Sequence, residues 1–143
     1  MPKGGLNVKQ SMVDKDIETK EDLDRLMRYF YDLLLNDERM RPIFIDIAQI
    51  DLEAHFPHLV DFWHSLLFMT GAYKRNVMDK HLTLHRRYPL KEIHFEIWLK
   101  YFNESVDNLF TGPRSEDAKN RAKSIALLMQ HKIKQMQEGF SAS

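Results

Sequence analysis

The chain has 143 residues, the size of one ordinary domain, and 43% of them are apolar with only five Gly and five Pro, which excludes a disordered or collagen-like chain. Its 21 basic residues balance 21 acidic ones, so no broad field is present for a nucleic-acid polymer or an anionic membrane. Cysteine is absent, which rules out disulfides, thiolate metal sites and cysteine nucleophiles and fits a reducing compartment.

Residues 1–16, with the Gly4-Gly5 pair, read as a loose tail. They lack the apolar run of a signal peptide, and no segment has the apolar length of a membrane span, so the cytoplasm is the expected location. A folded domain is expected over 17–137, with 138–143 frayed. Thr19 followed by Asp22 marks a helix start. Leu23, Met27, Phe30, Tyr31 and Leu34 then share one helical face. Asn36-Asp37 weakens that helix, and a short turn over MRPIFIDIAQI anchors Phe44 and Ile47. Asp51 opens a second helical region with Leu59, Phe62, Trp63, Leu66 and Leu67 on its buried side. Pro57 makes this helix start near that residue or kink there, and Gly71 closes it. A short helix, VMDKHLTLH, follows, and RRYP breaks it. Residues 91–110 form the clearest helix, with His94, Ile97, Trp98, Tyr101 and Ser105 roughly on one side, and Gly112-Pro113 ends it. Ser115 can cap a last helix whose stripe is Ala118, Ala122, Ile125, Met129, Ile133 and Met136. No strand pattern emerges, so the fold class is all-α.

Seven histidines are the main chemical resource, because neutral imidazole is a good ligand for iron or zinc. His81 lies in a short helix with Val77, Leu82 and Leu84 nearby. One imidazole presented by an apolar helix is what the iron of a haem needs, but a partly exposed helix residue has the same appearance. His81 and His85 at i, i+4 could share a zinc ion, although no third ligand is evident. Asp61 and His64 have the spacing of one di-iron ligand pair but no matching set. Tyr31 and Trp98 each carry one polar hydrogen on the apolar side of a helix. Buried, they could donate into a dry pocket or to a backbone acceptor. The basic cluster Lys74, Arg75, Lys80, Arg86 and Arg87 suits a small anionic group better than a polymer.

Four strings resemble a known family: LMRYFYDLLLNDERMRPIF, the run HFPHLVDFW from His55 to Trp63, GAYKRNVMDKHLTLH and HFEIWLKYFNES. Together they resemble the truncated haemoglobins, specifically group III, from about Ile17 to about Met136. The last two strings are the most specific. The glycine pairs of the other truncated branches are missing, as group III implies. The resemblance implies a truncated globin-like two-over-two helical sandwich enclosing haem b (iron protoporphyrin IX). Within it His81 matches the proximal iron ligand, Tyr31 and Trp98 the distal donors, His55 the distal histidine, and Phe44 the phenylalanine on the haem edge. Phe30, Leu59, Phe62 and Phe95 would wall the pocket. Arg75, Lys80 and Arg86 are candidates for the haem propionates by charge and position. Pro57 leaves two positions open for His55, inside the pocket or towards solvent.

The function implied is reversible binding of O2, and of CO or NO, for oxygen transport, scavenging or sensing. The alternative is redox chemistry, as a nitric oxide dioxygenase or a peroxidase-like enzyme with a reductase partner. A more distant alternative is a helical interaction module without haem. No nucleic-acid or membrane partner is expected, and the chain is expected to be a monomer or weak dimer.

Overall fold

A computed structural model describes residues 14–44, 51–70 and 90–142, with side chains to residue 136. Among the described residues the structure is all-helical. The helices are α1 (Lys20–Leu35), α2 (Leu52–Phe68), α3 (Glu92–Leu109) and α4 (Pro113–Ala142). They form two pairs, α1 against α2 and α3 against α4, joined chiefly where α1 crosses α3. No helix among the described residues is long and apolar enough to cross a membrane.

Helix α1 starts as the sequence predicts. The Thr19 hydroxyl accepts from the Asp22 amide at 3.1 Å, and the Asp22 carboxylate accepts from the Thr19 amide at 3.1 Å. This reciprocal box satisfies two amide donors that a helix start otherwise leaves open. Lys15 also pairs with Asp22. The expected face is buried throughout, at Leu23, Met27, Phe30, Tyr31 and Leu34, with Leu26 added.

Helix α2 corrects two expectations. Asp51 opens it as expected, accepting from the Ala54 amide, but the start is at Leu52 rather than near Pro57, which lies inside the helix. Its fully buried stripe is Phe56, Val60, Trp63 and Leu67, while Leu59, Phe62 and Leu66 are half-buried and pack on the core from one side. The helix ends on Met69 in the left-handed region (φ 55°), and the Met69 and Thr70 amides both donate to the Ser65 carbonyl. The expected stop at Gly71 lies outside the described residues.

Helix α3 buries Phe95, Ile97, Phe102, Ser105, Val106 and Leu109. His94, expected on one side with Ile97, Trp98, Tyr101 and Ser105, is half-buried at the helix start. Its Nδ1 accepts from the Lys91 amide at 2.9 Å and closes the helix start. The last helix begins at Pro113, where a missing N–H costs nothing. Ser115 is not its cap. Asp16 reaches across the fold instead, accepting from the amides of Arg114 (2.9 Å) and Ser115 (2.8 Å) and from the Ser115 hydroxyl (2.6 Å). Thr111 donates to the Lys15 carbonyl at 2.9 Å. Lys15 and Asp16, placed by composition in the loose tail, are therefore docked. The α4 backbone stays helical through Ala142 rather than fraying after residue 137. Its buried stripe is Ala118, Ala122, Ala126, Met129 and Ile133, with Ile125 half-buried. Small alanines at three of these positions let α4 approach α3 closely.

Candidate functional site

The centre of the fold is aromatic. Phe30 and Phe102 are almost fully buried, and full burial of such a ring contributes about 1.5–3 kcal/mol. Phe30 lies edge-on to three rings: Tyr31 (5.6 Å between centroids), Trp98 (5.6 Å) and Phe102 (5.3 Å). Phe102 is stacked between the two tryptophans, 5.7 Å from Trp98 and 4.8 Å from Trp63. Phe62 meets Trp63 edge-on at 5.6 Å. These contacts tie α1, α2 and α3 into one rigid block.

Tyr31 sits at one end of this block. Its ring is edge-on to Phe44 (5.4 Å) and Phe56 (5.7 Å), and the imidazole of His55 lies 6.2 Å away. Only 7% of Tyr31 is exposed. Burial pushes its phenol well above the ordinary tyrosine range, so it stays protonated and remains a donor. Among the described residues, no hydrogen bond engages the Tyr31 hydroxyl or the Trp98 indole N–H. The His55 ring is half-buried beside Tyr31 rather than turned away from it.

Phe44 is brought to Tyr31 by the short turn expected to anchor it, through charged contacts that the sequence reading did not assign; Ile47 lies outside the described residues. Asp37 accepts from the Arg39 amide (2.8 Å), from the Arg39 guanidinium (3.1 and 2.8 Å) and from the Tyr101 hydroxyl (2.6 Å). The Arg39 contacts, aided by Tyr101 and opposed by burial, hold the Asp37 carboxyl well below the usual carboxylate range. A charged anchor thus pins the segment after α1 to α3. Met40 and Ile43 are buried behind it, and half-buried Phe44 is presented to Tyr31.

The structure brings Tyr31, Phe30, Phe44, His55 and Trp98 together and places Leu59 and Phe62 half-buried on the same core. Phe95 departs from this group. It is buried with Ala126, Met129 and Ile133 on α4, and Trp98, Leu90 and Ile125 pack on both clusters. His81, Arg75, Lys80 and Arg86 lie outside the described residues, as does His85. Asp61 pairs with Lys20 at 3.2 Å, and His64 stacks on Phe68 at 4.5 Å. No cluster of three or more ligating side chains occurs among the described residues. Phe56 and Phe102 are central residues that the spacing did not assign. Phe56 is visible at i, i+4, i+7 with Val60 and Trp63 once the helix is started at Leu52 rather than Pro57.

The chain is 30% identical over 117 residues to the group 3 truncated hemoglobin ctb of Campylobacter jejuni, covering 80% of this chain and 90% of that one. It belongs to the group III truncated haemoglobins. The crystal structure of the group III truncated hemoglobin from Campylobacter jejuni superposes with a TM-score of 0.70, covering 82% of this chain and 94% of that chain at 30% identity. No family model matches the chain. The helical pairs described above are thus those of a truncated globin, and the Tyr31 cluster lies on α1, α2, α3 and the segment that follows α1.

Proposed function

We propose that this truncated haemoglobin binds haem b and carries a diatomic gas, O2 first and also CO or NO, on the face lined by Tyr31 and Trp98. The observation that carries this reading is Tyr31, a buried residue whose ring is surrounded by Phe30, Phe44, His55 and Phe56 and whose hydroxyl makes no hydrogen bond among the described residues. A phenol that burial keeps protonated is a ready hydrogen-bond donor to a small ligand beside it. The half-buried Phe44, Leu59 and Phe62 suit a flat apolar ring system. His81 is the proposed proximal ligand, and Arg75, Lys80 and Arg86 are the proposed partners of the propionates.

When bound, haem supplies an iron centre with one position open to a small gas. The chain's residues select among gases. Tyr31 O–H, on a buried ring, and Trp98 N–H, on a half-buried one, are donors set in an aromatic shell, where a hydrogen bond to partial negative charge contributes about 1.5–3 kcal/mol. Both donors would favour the ligand on which more negative charge develops, O2 over CO, and would slow its release. His55, against Tyr31, is placed to shield that pair from water. The His81 N–H not used for ligation needs an acceptor that fixes the ring plane. The cytoplasm is the proposed location, with the chain a monomer or weak dimer.

Absorption spectra of the purified chain in ferric, ferrous and CO-bound forms test this directly. A Soret band that shifts with reduction and with CO is expected, and His81→Gly should abolish or alter it. A chain that stays colourless after haem addition overturns the reading. Haem should also raise the melting temperature, because a ligand that binds only the folded state stabilises it by mass action.

A further inference from the structure

We propose that Arg28 and Glu53 form a clasp that controls access to the Tyr31 site, by holding the first turn of α2 closed over it. Arg28, on the exposed side of α1, donates to both carboxylate oxygens of Glu53 at 2.8 and 3.1 Å. Its Nε donates to Asp24 at 2.8 Å, which fixes the guanidinium plane from its own helix. The same guanidinium lies 4.7 Å over the ring of Phe56. Glu53, His55 and Phe56 belong to one helical turn. The far side of that turn is what covers the tyrosine: Phe56 meets Tyr31 edge-on at 5.7 Å, and His55 lies 6.2 Å from it.

This turn is weakly tied along its own helix. Pro57 has no N–H, so the Glu53 carbonyl lacks the bond that a helix normally supplies from four residues on. Upstream, the turn is held by Asp51, which accepts from the His55 amide at 3.0 Å and from the Ala54 amide at 3.4 Å. A segment loosened at Pro57 can swing as a unit about the following residues. The ties that oppose this from α1 are the bidentate pair to Glu53 and the cation–π contact to Phe56. Arg28 and Glu53 are then positioning residues: they touch no ligand and act through Phe56 and His55. The inference rests on the reading of Tyr31 as the gas-binding face.

The test uses two independent measurements on the full chain. Hydrogen exchange at the amides of Ala54, His55 and Phe56 reads the clasp, whether or not haem is bound. Flash photolysis with CO reads access to the site. Exposed ion pairs shift equilibria by at most about fivefold. Glu53→Gln and Arg28→Gln should therefore speed exchange at those three amides by about fivefold and leave Val60 to Leu67 unchanged. CO association should rise by a similar factor. Raised salt should reproduce this rise in the wild type and add nothing to Glu53→Gln. Arg28→Lys, which keeps the charge but not the fork, should fall between. Exchange that is unchanged at the three amides, or that rises equally along all of α2, overturns the clasp while CO binding persists. A chain that takes up no CO in any variant overturns the reading of the site instead.

Discussion

One carboxylate oxygen of Asp16 accepts from both the amide and the hydroxyl of Ser115, a residue 99 positions away, at 2.8 and 2.6 Å. The cap of the last helix is therefore supplied by the first docked residues, and the two ends of the fold close on each other. Arg114 adds to the closure, donating to the Ile17 carbonyl at 2.7 Å and lying 4.1 Å over the Phe68 ring.

Removing this cap should destabilise the chain by about 1–3 kcal/mol in Asp16→Ala, since the amides of Ile17, Arg114 and Ser115 and a buried hydroxyl lose their acceptor. The effect depends on pH. Burial raises the Asp16 carboxyl, but the bonds from the Ser115 hydroxyl and from the amides of Arg114, Ile17 and Ser115 outweigh it, leaving the group below its ordinary value of 3.8. A lowered carboxyl contributes fully above 3.8 and loses its contribution as the pH falls through the folded value. Urea unfolding should thus separate wild type from Asp16→Ala equally from about pH 5 to about pH 7. The gap should narrow below 3.8.

Gly112 is the counterpart of that cap. Its φ is +145°, and a Cβ there would lie 2.5 Å from the Asp16 Cγ. Gly112→Ala should cost at least about 1–3 kcal/mol by chemical denaturation, because the backbone conformation and the clash both oppose it. In the Asp16→Ala background the loss should be smaller than in the wild type, since the clash partner is gone while the backbone term remains. Equal losses in the two backgrounds would assign the whole effect to the backbone.

Met69 points to a stabilising change. It is 81% exposed and closes α2 in the left-handed region, where a side chain costs about 1–2 kcal/mol. Met69→Gly removes that cost and sacrifices little burial. A gain of about 1 kcal/mol in unfolding free energy is expected.

The proposed distal donors predict a kinetic signature. Tyr31→Phe removes one hydroxyl and leaves the ring contacts to Phe30, Phe44 and Phe56 in place. O2 dissociation, measured by stopped-flow replacement with CO, should accelerate by about 10- to 100-fold, matching one charge-assisted bond. Trp98→Phe should act in the same direction, with CO dissociation nearly unchanged in both. An unaltered O2 rate in Tyr31→Phe would remove Tyr31 from the mechanism.

The sequence was most legible where local physics decides. The α1 capping box and its stripe follow from Thr19, Asp22 and a clean helical repeat, and both are present. Tyr31 and Trp98 stood out because a large ring with one polar hydrogen on an apolar face needs an explanation. Legibility failed where the deciding contact is distant in the chain. Nothing near residue 113 says that Asp16 caps α4, and nothing near Asp37 says that Tyr101 completes its hydrogen bonds. Of the two readings Pro57 offered, a helix start there failed for a different reason. A proline within the first two turns removes a single helical bond, and the packing of Phe56, Val60 and Trp63 outweighs that loss. His94 shows that helical spacing assigns a face but not a role, since a side chain at a helix start can turn back to its own backbone.

Phe30 touches no gas in the proposed site, yet it abuts the tyrosine on one side and the indole on another, at 5.6 Å to each ring. Any change in its volume shifts both donors together. Ligand retention can therefore be tuned by swapping one hydrocarbon side chain, with the polar chemistry left untouched. For the same reason, substitutions at 31 and 98 will not sum: the two donors share a single wedge.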